Sequence, residues 1–195
     1  ALMTASQTEG ETLSAATLHR ALRTLDFALE SVATQLGAVT LLAEIAPKME
    51  QAGLREEWIP YLEIAVRLSR NQQDTDHAGE FELQIGTLYR MMTKFEQALQ
   101  WLRTSHQDFV ASDNRKGQIR VLNEIAWVEQ LDNQFEAAKE HVEQALAMID
   151  KSDELERAMS YRVQGAIADR EQRWQEAENF HRSALMLFER NKDRR

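Results

Sequence analysis

Cysteine is absent from the 195 residues. That excludes disulfide cross-links, thiolate catalysis and cysteine-ligated zinc, although it does not fix the compartment. Proline occurs twice and glycine seven times, too little turn chemistry for an all-β sandwich or barrel. No apolar run approaches the roughly 18 residues of a membrane-spanning helix, and no signal-peptide core is visible. Positive charge is in deficit: 23 Lys and Arg stand against 32 Asp and Glu, a net charge of −9. Such a balance argues against a general binder of phosphate backbones. What remains, 43% hydrophobic and 28% charged, is the composition of a folded soluble domain.

Helical periodicity dominates what is there. Residues 1–11 are small and polar, and the expectation is a flexible N-terminal segment. From Leu13 onward apolar residues recur at three- and four-residue steps, as in Leu18, Ala21, Leu22, Leu25, Ala28 and Leu29. Short polar breaks at Gly37, Ala52-Gly53, Asn71–Thr75, Thr93, Ser112–Gly117, Asp132-Asn133, Lys151–Asp153 and Arg173 divide the chain into about nine helices. Tight joints of this kind make neighbouring helices antiparallel.

One pattern repeats three times. Gly86, Ala126 and Gly165 superimpose at offsets of 40 and then 39 residues. The same offsets align Phe95 with Phe135 and Trp174, and Ala98 with Ala138 and Ala177. They also align Ser105 with Ala145 and Ala184, and Phe109 with Ile149 and Phe188. A small residue in the middle of each first helix, where glycine costs about 1 kcal/mol relative to alanine, implies close approach of two helix axes. The aromatic at the start of the second helix is expected to plug the open end of the pair. Phe109, Ile149 and Phe188 are expected to pack against the following repeat. One pair buries its apolar face incompletely, so neighbours stack to finish the core.

These spacings resemble tetratricopeptide repeats, on Gly86, Phe95, Ala98 and Ser105, then Ala126, Phe135, Ala138 and Ala145, then Gly165, Trp174, Ala177 and Ala184. The resemblance implies an all-α fold, a right-handed superhelical array of antiparallel helix pairs. Residues 76–195 would hold three repeats, at about 76–112, 115–151 and 154–190. Residues 12–75 would form a divergent helical segment or degenerate repeat, matching only through Ala46 and Ala65. There Trp58 stands where a small residue belongs, and Pro47 and Pro60 are expected to interrupt the helices. The period exceeds the family's usual length of about 34 residues, so the helices should run half a turn to a turn longer. Long repeats of this kind resemble those of regulatory helical arrays, including sensor regions of large signal-transducing ATPases that control transcription. Asp193-Arg194-Arg195 falls in register with Asn114-Arg115-Lys116, which suggests a piece of a longer array.

Catalytic motifs are missing. No GxxxxGK[ST], GxGxxG or GxSxG segment occurs. The five histidines lack HExxH spacing, although His141 and His181 fall at neighbouring positions on successive second helices. Glu136, Glu140 and Glu143 read as a solvated helix face, and Met91, Met92, Met148, Met159 and Met186 as core filler. The expectation is a non-enzyme with no cofactor and no metal.

The resemblance places the first helices on the concave face of the superhelix. That face would carry Gln84, Thr87, Arg90 and Met91, then Arg120, Asn123, Trp127 and Gln130, then Arg162, Ala166 and Asp169. Arginine can grip a carboxylate through two parallel hydrogen bonds, and tryptophan supplies a rigid contact surface. The expected partner is a protein or peptide with an acidic group and an apolar anchor. Nucleic acid and membrane are not expected, and array ends offer a route to self-association. An equal alternative has Trp127 packed under the adjacent repeat and Arg120 and Arg162 neutralising nearby carboxylates. The Lys/Asn clamp with which some family members hold a chaperone's terminal carboxylate is missing, since its places carry Leu83, Thr87, Glu124, Met159 and Val163. The functional expectation is a cytoplasmic protein-interaction scaffold. The alternative is a sensory or regulatory module of a larger signalling or transcriptional protein, responding to a small ligand or signalling peptide.

Overall fold

A computed structural model describes residues 55–192, together with the single positions Thr24, Gly37 and Leu42. The expectations for residues 1–11, the Leu18–Leu29 stripe, Ala46, Pro47 and Asp193–Arg195 lie outside the described residues. Seven α-helices and no strand occur among the described residues. They are α1 (Arg55–Asn71), α2 (Thr75–Met91), α3 (Phe95–Ala111), α4 (Arg115–Leu131), α5 (Phe135–Met148), α6 (Glu154–Arg170) and α7 (Trp174–Lys192).

A beat of twenty residues underlies this order. Helices α1 to α4 are each 17 residues long, and three-residue turns join them. Every such turn uses one geometry, with Gln73, Thr93, Asp113, Asn133 and Gln172 in the left-handed region at φ of 55–62°. After α2, the Thr93 amide donates to Arg90 O and the Lys94 amide to Tyr89 O, both at 2.9 Å. That pairing caps two carbonyls that a helix end would otherwise leave open. None of the five left-handed residues is glycine.

The joint between α5 and α6 breaks the rule. Helix α5 has only 14 residues, and residues 149–153 form a longer link. Arg115 holds it: Nη1 donates to Met148 O at 2.7 Å and Nη2 to Asp153 Oδ2 at 2.6 Å. Asp153, 2% exposed, also accepts the Asp150 amide at 3.0 Å. This link is why the second interval is 39 residues rather than 40. The extra length of the second repeat therefore lies in the connection, whereas in the first repeat it lengthens the helices.

Packing follows the small-residue positions. Ala98, Ser105, Ala126, Ala138 and Ala145 have no exposed surface, and Ala177 and Ala184 have almost none. A β-carbon added at Gly86 would stand 2.6 Å from Leu102 Cγ, so α2 and α3 meet there at a distance only glycine allows. The Ser105 hydroxyl, at a neighbouring crossing, donates to Gly79 O at 2.7 Å. Fully buried residues such as Phe81, Ile85, Leu102 and Ile119 supply the core, each stabilising the fold by roughly 1.5–3 kcal/mol. Helices α2, α4 and α6 touch one another in series while each also packs on its own partner, α3, α5 or α7. They thus line the inner face of a helical solenoid.

Two expectations need correction. Pro60 does not interrupt a helix; it lies inside α1. It sits in the second turn on the exposed side, where the carbonyl it leaves unpaired meets water. Trp174 does not plug its helix pair, being 64% exposed. Phe95, its counterpart, packs partly buried against a cluster that includes Val121, Ile125 and Val128 of the next helix; among the described residues no helix follows α7 to cover Trp174. Trp58 stands where the later repeats have alanine and is 1% exposed, packed with Leu42, Leu62 and Phe81.

Candidate functional site

The inner faces of α2, α4 and α6 form a cleft of about 330 Å³. Leu83, Gln84 and Thr87 contribute from α2, Arg120, Asn123 and Glu124 from α4, and Leu155, Glu156 and Met159 from α6. Residues three or four apart share a helix face, so three parallel helices bring one turn each to the same place. The apolar part is Leu83, Leu155 and Met159, and Leu155 is 38% exposed. Leu83 and Met159 occupy places where the chaperone-tail clamp would have been polar, and Met159 is a cleft residue rather than core filler. Sequence reasoning missed Leu155 altogether, because one leucine near a helix start has no periodic signal of its own.

Of the charged groups predicted on this face, Arg90 and Arg120 are engaged with carboxylates of the neighbouring inner helix. Arg120 makes a two-pronged contact with Glu80, Nη1 to Oε1 at 2.6 Å and Nη2 to Oε2 at 3.0 Å. Arg90 donates from Nε to Glu124 Oε2 at 2.8 Å, with both side chains largely buried. Each pair ties α2 to α4, so these two arginines do what the alternative reading gave to Arg120: they neutralise neighbouring carboxylates. Asn123, 2% exposed, accepts from Ser160 Oγ at 2.9 Å and donates to Glu156 O at 3.4 Å. Gln130 is 3% exposed and does not line the cleft. Asp169 turns to the second helix of its own pair, its Oδ2 lying 2.8 Å from His181 Nε2.

Arg162 differs. Its guanidinium lies 4.8 Å from the centre of the Trp127 ring, a cation–π stacking distance. No carboxylate forms an ion pair with it among the described residues, and its Nε is buried without a hydrogen-bond partner. Burial holds its pKa below the usual arginine value, with Glu124 opposing and Arg90 reinforcing that shift. Trp127 itself is half-buried against Ala126, Ala138, Val142, Val163 and Ile167. It therefore both packs and keeps one face toward Arg162.

One histidine away from the cleft bridges two helices. His141 Nδ1 and Glu129 Oε2 are 2.8 Å apart, joining α5 to α4. The hydrogen bond to buried Glu129 raises the His141 pKa above its ordinary value against the opposing effect of burial. No cluster of three or more His, Asp or Glu side chains that could hold a metal occurs among the described residues. No helix there is long and apolar enough to cross a membrane.

Stacked antiparallel helix pairs with a lined inner face define a helical-repeat protein of the solenoid class. Residues 80–151 match the family model described as Tetratricopeptide repeat, and the solenoid fold agrees with that match. Among solved structures, BtubC (BKLC) from P. vanneervenii superposes with a TM-score of 0.69 at 16% identity, covering 91% of this chain and 74% of that one. The putative kinesin light chain TPR-like repeats of Podosopora anserina give 0.65 at 15% identity, with 97% and 92% covered. Aspartyl phosphate phosphatase F of Bacillus subtilis gives 0.68 at 13% identity, with 89% of this chain but 50% of that one covered. At these identities the likeness is one of fold. No curated protein matches the sequence.

Proposed function

We propose that this chain is a non-catalytic protein-interaction module that takes a peptide or a partner's exposed segment along the inner face of α2, α4 and α6. The observation that carries the reading is the cleft of about 330 Å³, whose apolar residues Leu83, Leu155 and Met159 lie among polar and charged groups. An apolar recess with a few placed polar groups is the usual anatomy of a binding site, and an apolar side chain from a peptide would fill it as an anchor. No membrane or nucleic acid enters this reading, and a cytoplasmic setting accords with it. The interaction scaffold needs no cofactor.

Peptides selected from a displayed library on the full chain test it. Met159→Arg would fill the recess with a charged side chain, and selected peptides should then lose binding. Glu140→Arg, on the exposed side of α5, should leave binding intact. Indifference to Met159→Arg removes the cleft from the account.

The cleft volume also favours a second reading, a regulatory module that senses a small ligand, since small-molecule sites begin at about 300 Å³. A thermal-shift screen separates the two. A compound that raises the melting temperature of the native chain but not of Met159→Arg would favour sensing.

A further inference from the structure

One helical turn beyond the cleft, toward the C-terminal ends of the same helices, Arg90, Glu124, Trp127 and Arg162 come together. Arg90 is three residues from Thr87, Trp127 three from Glu124 and Arg162 three from Met159, so all continue the inner face. Here two guanidinium groups stand beside one carboxylate. Glu124 is committed to Arg90 at 2.8 Å. Arg162 is left with the Trp127 ring at 4.8 Å and a buried Nε that has no acceptor. A largely desolvated cation with no counter-charge of its own is costly, and the groove supplies none within ion-pairing reach of Arg162 among the described residues. At the other end of the cleft the balance reverses: Arg120 is taken by Glu80, and Glu156 has no ion pair among the described residues.

We infer that Arg162, stacked on Trp127 and flanked by Arg90, receives an anionic group of the ligand whose apolar part fills the Leu83–Leu155–Met159 recess. The inference rests on the binding reading above and fixes the ligand's chemistry and direction. A planar guanidinium already held by a ring is positioned to make two parallel hydrogen bonds to a carboxylate or phosphoryl group. The acidic end lies at the Arg162 side, about 5 Å from the apolar anchor along the helix direction, one turn of rise. The reverse orientation would bring the anion to Glu156.

Three probes of matched apolar content test this on the full chain: N-acetyl-leucyl-leucine with a free carboxylate, its C-terminal amide, and the analogue in which a phosphonate replaces the terminal carboxylate. Binding is read from the indole N–H resonance of Trp127, assigned with Trp127→Phe. The free acid should bind about tenfold more tightly than the amide, the ratio expected for one charge-assisted contact of about 1.4 kcal/mol. Arg162→Met should erase that preference, Arg162→Lys should keep part of it, and circular dichroism should show both variants equally helical. The phosphonate binding more tightly than the carboxylic acid assigns the anion to a phosphoryl source, and the opposite order to a carboxylate. Equal binding of acid and amide overturns the anion site while leaving the apolar cleft standing; binding of none of the three overturns both.

Discussion

The Phe109 ring lies directly on the backbone of Gly117, so close that a β-carbon there would stand 2.4 Å from the ring. Phe109 has no exposed surface, and a β-carbon at Gly79 would stand 3.1 Å from the same ring. The last turn of α3 is thus wedged between the first turns of α2 and α4, and this contact joins one repeat to the next. Gly117→Ala should destabilise the fold by about 1–3 kcal/mol through overpacking, despite the helix propensity that alanine gains. Gly37→Ala is the control, since nothing among the described residues lies within 4 Å of its added carbon; it should be neutral or slightly stabilising. Urea unfolding measures both, and equal effects would show that the wedge is slack.

Thr93 holds φ at 59° in its turn, a conformation that a β-branched side chain adopts at a cost. Thr93→Gly should raise stability by about 1 kcal/mol, whereas Asn133→Gly, in the same geometry at φ 62°, should gain little. Asparagine already tolerates that region. A melting temperature for Thr93→Gly at or below the parent value would refute the strain.

Glu82 gives the fold a pH dependence. It has no exposed surface, and burial pushes its carboxyl pKa to about 8; Arg70 opposes the shift and Asp108 adds to it. Arg70 Nη2 reaches Glu82 at 2.5 Å and Asp108 at 3.3 Å, so one guanidinium from α1 serves carboxylates on α2 and α3. The folded state holds this proton more tightly than the unfolded chain, whose glutamate titrates near 4.5. Its contribution is therefore complete below pH 4.5 and is lost as pH rises to about 8. Glu82→Gln should flatten the fall in melting temperature between pH 5 and pH 9 and leave the variant the more stable of the two at the alkaline end. Parallel pH profiles for parent and variant would remove Glu82 as the cause.

Ala138 and Ala147 share one helix but not one environment. Ala138 is fully buried where α5 meets its neighbours, and Ala147 is exposed. Ala138→Trp should cost several kcal/mol, on the order of the largest overpacking penalties, and Ala147→Trp less than about 1 kcal/mol. Calorimetric melting of the two proteins decides whether the assigned face is right.

The local architecture was legible because it rests on short-range rules. Small residues forty apart, aromatics nine positions after them and polar breaks between apolar stripes each specify a helix, a crossing or a turn without reference to distant chain. That is why Ala98, Ala126 and Ala138 could be read as contact points, and why Thr93 and Asp132-Asn133 marked turns. What the stripes could not say is which charges find each other. Arg120 with Glu80 and Arg90 with Glu124 are separated by 40 and 34 residues. In sequence they are merely basic and acidic residues on helix faces, and only the stacking of α2 on α4 turns them into pairs. The same stacking gathers Leu83, Leu155 and Met159 into one recess and leaves Arg162 beside Trp127 with no carboxylate in ion-pairing reach among the described residues. Trp174 makes the point in reverse: its place in the repeat is that of Phe95, yet its exposure depends on whether another helix lies over it. Periodicity along the chain determines helices and their contact faces; the sum of charges and surfaces across three helices is a property of the assembled stack alone.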